Sequence, residues 1–94
     1  MKMLKPATKF IKNSPIEQFN HILSEVAEAH FELLLSSKEK NADKNTNIVL
    51  ARELVDIQVS CETMLACLGY NDEERDKLRR HVYEKNKARG YYDE

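Results

Sequence analysis

Four acidic residues stand in two pairs, each spaced by three: Glu25 and Glu28 in LSEVAEAH, Glu53 and Asp56 in ARELVDIQ. Both pairs interrupt stretches whose apolar residues recur with helical period, so each pair leaves its helix on one side. A three-residue step separates side chains by about 60° around the axis and about 4.5 Å along it, so two carboxylates can reach one ion. Four carboxylates at a helix-packing surface would repel one another and lose hydration unless a cation or water stood between them. Hard oxygen ligands of this kind suit Mg²⁺, with Mn²⁺ as a substitute. The competing reading is an ordinary solvated helix face, because a single ExxE is common in helical proteins. Arg52, the neighbour of Glu53, projects about 100° away from it and does not neutralise the set by spacing alone.

The other titratable residues narrow the chemistry. A di-iron carboxylate bundle needs Glu-x-x-His on two helices. Here Gln18 precedes His21, Ala27 precedes His30 and Leu78 precedes His81, so none fits. An all-carboxylate Mg²⁺ site recruits substrate phosphates as further ligands, and phosphates call for cations. The sequence YEKNKARGYY offers Lys85 and Arg89, four apart and able to reach one anion, with Asn86 and Lys87 between them. The same charges also complement the negative end of a helix dipole. Tyr91 and Tyr92 either stack on a base or pin the C-terminus. His21, one turn before Glu25, is a candidate substrate contact, although a histidine there is more often plain helix surface.

Three helices have to position these groups. Ser14 followed by Pro15, with Glu17 three after Ser14, reads as a capping box opening a helix from about 15 to 36. Its expected inward stripe is Phe19, Ile22, Leu23, Val26, His30, Leu33 and Leu34. The polar stretch 37–47 reads as a loop. Thr46 or Asn47 then caps a second helix over about 47–68, with Leu50, Leu54, Ile57, Cys61, Met64, Leu65 and Leu68 expected inward and Gly69 as its C′ residue. Asn71 caps a third helix over about 71–89, with Asp72, Glu73 and Glu74 at its positive end, and Gly90 stops it. Residues 1–13 are basic and weakly patterned.

Composition bounds the rest. Ninety-four residues make a single domain, and 41% hydrophobic with 33% charged residues fits a helical chain rather than a disordered one. Two Gly, two Pro and no Trp argue against a turn-rich β fold. A net charge of -1 gives no bulk attraction to nucleic acid or to an anionic membrane. No run approaches the apolar length of a membrane span, and the basic start is not followed by a signal-peptide core, so a soluble cytoplasmic protein is expected. Cys61 and Cys67, about 9 Å apart on one helix, neither bridge nor match a zinc spacing and read as small core residues. The expected architecture is an all-α, three-helix protomer in a helical bundle. The first two helices carry more apolar surface than the thin stripe of the third (Leu78 and Val82, with Tyr83 or Ala88) can cover, so a homodimer or homotetramer is expected to complete the core.

With those residues in hand, the chain resembles the MazG-like all-α nucleoside triphosphate pyrophosphohydrolases, a superfamily that includes dimeric dUTPases and phosphoribosyl-ATP pyrophosphohydrolase. The family pattern is EExxE, a spacer, then ExxD. Here it reads Ser24-Glu25-Val26-Ala27-Glu28, 24 intervening residues, and Glu53-Leu54-Val55-Asp56. The resemblance covers about Ile16 to Tyr92. One departure is plain: Ser24 stands where the family has its first Glu. The resemblance implies Mg²⁺ held by Glu25, Glu28, Glu53 and Asp56, and hydrolysis of a nucleoside triphosphate between its α and β phosphates to give a monophosphate and pyrophosphate. It implies water activation through Glu25 or Glu28, with Lys85, Asn86 and Arg89 steadying the pyrophosphate. The alternative is a non-catalytic helical interaction module that keeps the fold.

Overall fold

The computed structural model describes residues 4–36 and 47–93. These form a short 3₁₀ turn, Thr8–Phe10, and three α-helices: α1, Pro15–Ser36; α2, Ile48–Cys67; and α3, Asp72–Ala88. No strand occurs among the described residues, and no helix there is long and apolar enough to cross a membrane. Of the expected loop at 37–47, residues 37–46, with the cap candidate Thr46, lie outside the described residues.

The helix ends follow their local chemistry. Ser14 Oγ accepts from Glu17 N–H at 3.2 Å while Glu17 Oε1 accepts from Ser14 N–H at 3.0 Å, the reciprocal box that opens α1. Asn71 and Glu74 make the same exchange at the start of α3, at 2.9 and 3.0 Å. Asn47 occupies the N-cap position of α2, but its side chain makes no capping bond. Gly69 at φ 95° and Gly90 at φ 80° take the left-handed conformation that ends α2 and α3, where a β-carbon would be strained.

α1 and α2 form an antiparallel pair, and their seam differs from the expected one. The residues most buried in it are polar or small: Gln18 and Thr63, both fully buried, with Ser60 and Ala29. Phe19, Leu23, Val26, Leu33 and Leu34 of α1, with Leu54 and Leu68 of α2, are each about half exposed, and His30 and Cys61 are exposed as well. Only part of each expected stripe is sheltered: Ile22 of α1, with Leu50, Ile57, Met64 and Leu65 of α2, is partly buried, and of the two free thiols Cys61 is exposed and Cys67 partly buried. The cause is the course of α3, which does not lie along either helix and so leaves their apolar flanks uncovered.

Instead, α3 is bolted to α2 through its first two turns. Glu62 Oε2 accepts from Arg75 Nε at 2.7 Å and Glu62 Oε1 from Arg79 Nη1 at 2.7 Å. Arg75 also donates to the Tyr70 carbonyl at 2.7 Å and to the Asp72 carboxylate. Burial alone would push the Glu62 carboxyl up, but the hydrogen bonds and charges of Arg79 and Arg75 outweigh it and hold it below the ordinary carboxylate range. The basic N-terminal segment, patternless in sequence, lies as a strap across the pair. Ala7 N–H donates to Thr63 Oγ1 at 2.9 Å, the Cys67 thiol donates to the Phe10 carbonyl at 3.4 Å, and Asn13 Nδ2 donates to Gln18 Oε1 at 3.1 Å.

Candidate functional site

The antiparallel seam brings the two acidic pairs to one level. Glu53 on α2 feels the charges of Glu28, Asp56, Glu25 and Glu32. Its carboxyl is raised above the ordinary range first by lost hydration and then by repulsion from those four, in that order. Among the described residues, every charge that perturbs Glu53 is thus another carboxylate. Glu32 is an addition: it lies four residues, about one turn, beyond Glu28 on α1, outside both acidic pairs. Beside Glu53 lies a cleft of about 410 Å³ lined by Ala27, Glu28, Phe31, Glu32 and Glu53. Arg52 faces a separate hollow with Ile48, Ala51, Val55 and Asp56.

Glu25 is largely sheltered, with its side chain 14% exposed. Its Oε1 accepts the Ser60 hydroxyl from α2 and lies 3.4 Å from His21 Nε2. The His21 ring packs against Phe10 of the strap, centroids 5.3 Å apart. His21 therefore belongs to the rim of the acidic seam. Ser24, at the departure from the family pattern, turns its hydroxyl back to the His21 carbonyl at 2.7 Å and away from the acids.

The cations predicted from sequence lie elsewhere. Arg89 Nη2 donates to the Tyr91 hydroxyl, and its guanidinium sits 4.6 Å above that ring. Tyr92 stacks on Tyr83 at 5.0 Å, so the two terminal tyrosines pin the end of α3. Among the described residues, no hydrogen bond or ion pair joins Lys85, Asn86 or Arg89 to the acidic seam.

In type, the donor set fits a hard divalent cation: all oxygen, with repulsion that a cation would relieve. In geometry, among the described residues no three His, Cys, Asp or Glu side chains are gathered closely enough to hold an ion as they stand. In sequence, Gln18 and Ser60 are simply polar residues beside the apolar stripes of the first two helices. Nothing in their spacing marked Ser60 as the partner of Glu25, or Gln18 as the partner of Ser60. No protein-family model, curated protein or solved structure matches the chain.

Proposed function

We propose that the protein is a Mg²⁺-dependent nucleoside triphosphate pyrophosphohydrolase, cleaving between the α and β phosphates. The observation that carries this reading is the grouping of Glu25, Glu28, Asp56 and Glu32 around Glu53, with no cation of the described residues among the charges acting on it. A purely structural seam gains nothing from such repulsion, whereas a site for a cation and its phosphates uses it.

Glu25, Glu28, Glu53 and Asp56 would hold the ion. When bound, Mg²⁺, or Mn²⁺ in its place, neutralises phosphate charge and lowers the pKa of water. Glu25 or Glu28 orients the attacking water and accepts its proton. His21, at the rim, contacts the substrate. Lys85, Asn86 and Arg89 steady the pyrophosphate as it leaves. The half-exposed apolar flanks of α1 and α2 support a homodimer or homotetramer, since fully burying each such side chain is worth about 1.5–3 kcal/mol. A second copy is then the proposed source of the cations at each acidic seam.

A screen of nucleoside triphosphates with Mg²⁺, scored for pyrophosphate against orthophosphate, tests the reading. Release of pyrophosphate with a monophosphate supports it. No turnover, together with no rise in melting temperature on adding Mg²⁺, contradicts it and favours a helical interaction module.

A further inference from the structure

Among the described residues, Ala29 is the only buried hydrophobic one. The protomer exposes 7582 Å², whereas a monomeric protein of 11.0 kDa is expected to expose about 5,600 Å². Two such protomers have roughly 4,000 Å² of excess surface between them, within the about 2,000–5,000 Å² that an obligate homodimer interface buries.

The seam between α1 and α2 gathers much of this surface on one side. Phe19 directly follows the buried Gln18, and Cys61 directly follows the buried Ser60. Each therefore stands about 100° round its helix from the seam, in the same sense. Antiparallel helices are related by a two-fold axis, so one sense of rotation places both flanks on the same side of the pair. Leu23 and Val26 continue the α1 flank at spacings of four and three, while Leu54 and Leu68 stand seven residues before and after Cys61 on α2. These five are about half exposed with Phe19, Cys61 is exposed, and none of the six carries a charge. Glu28 directly precedes the buried Ala29, which turns it to the opposite side.

We infer that a second copy of this chain covers this face, its α1 and α2 laid against α1 and α2 across a two-fold axis, so that four helices enclose the core that one protomer lacks. A two-fold contact sets one patch against itself, so any charge near the axis would meet its own like. An uncharged face tolerates that, and it offers a charged partner or an anionic lipid surface nothing to pair with. The acidic side takes no part in the contact. The contact rests on the oligomer of the reading above and not on its chemistry.

Equilibrium sedimentation, with timed iodoacetamide alkylation of Cys61 read by mass spectrometry, tests this over a range of concentrations in wild type, Leu23→Asp and Leu54→Asp. The expected wild-type mass is twice the 11.0 kDa protomer, with Cys61 alkylated more slowly as concentration rises. Each variant removes two leucines from the dimer core, so association is expected to weaken at least about 100-fold. Cys61 in the variants is then expected to react at one rate at every concentration, with the helices retained by circular dichroism. Val55→Asp alters a half-exposed residue beside Arg52, off this face, and is expected to leave both readouts as in wild type. A monomeric wild type with Cys61 equally reactive throughout overturns the inference and gives the face to a different molecule. A dimer that survives both variants with Cys61 still reactive also overturns it, because another surface then makes the pair. Failure to release pyrophosphate from an intact dimer would overturn the chemistry and leave the contact standing.

Discussion

Glu53 of α2 sits across the seam from Glu28 of α1, and the repulsion between them, added to lost hydration, raises the Glu53 carboxyl above the ordinary range. A raised carboxyl binds its proton more tightly in the folded than in the unfolded chain. Its ionisation therefore opposes folding, fully so above the folded pKa and progressively less as pH falls through it. In metal-free protein, Glu53→Gln is expected to melt above wild type at pH 7.5, with the gap closing toward pH 4. Mg²⁺ is expected to raise the wild-type melting temperature more at pH 7.5 than at pH 5, and not to raise that of Glu53→Gln. Thermal melts at the two pH values check both.

Glu62 behaves in the opposite sense. Its carboxyl is held low by Arg79 and Arg75, so the stability it contributes is present above its unfolded pKa of about 4.5 and is lost as pH falls through the lower folded value. Removing one partner of a buried pair leaves the other charge stranded. Glu62→Ala is expected to cost about 3–5 kcal/mol in urea denaturation at pH 7. A loss below about 1 kcal/mol, the range of an exposed pair, would show that α3 is not anchored there.

The N-terminal strap depends on a single buried acceptor, Thr63 Oγ1, for the Ala7 amide. Thr63→Val keeps the shape and removes the acceptor. Stability is expected to fall by about 1–3 kcal/mol, and the Ala7 amide is expected to exchange with solvent far faster. Unchanged exchange at Ala7 would mean the strap is held by other contacts.

Half-exposed Phe19, Leu23 and Val26 line one flank of α1 at spacings of four and three. Equilibrium sedimentation at micromolar concentration is expected to give a multiple of the 11.0 kDa protomer, with Leu23→Asp shifting it toward monomer. A monomeric wild type would mean that another molecule covers this flank.

Much of the fold was legible in the sequence because helix ends carry local chemistry. Ser14 with Glu17, and Asn71 with Glu74, each satisfy orphan amides within four residues, so the pattern alone locates them. Helix facing was less legible. Periodicity marks an apolar side for α1 but does not say what that side meets, and the seam with α2 is built from Gln18, Ser60, Thr63 and Ala29 instead. The buried Glu62–Arg75 pair gave no sequence signal either, since its members lie 13 residues apart and look like surface charges. The acidic level itself follows from spacing plus an antiparallel pairing. Ser60 needed coordinates, because only they separate a hydroxyl that bonds its own helix from one that crosses to Glu25.

Pyrophosphate release from nucleoside triphosphates in the presence of Mg²⁺, compared between wild type, Glu53→Gln and Asp56→Asn, tests the central claim most directly. The expected result is pyrophosphate in equal amount to monophosphate from wild type and loss of turnover in both variants, each still folded by circular dichroism. Turnover undiminished in both variants, or orthophosphate as the product, would contradict it.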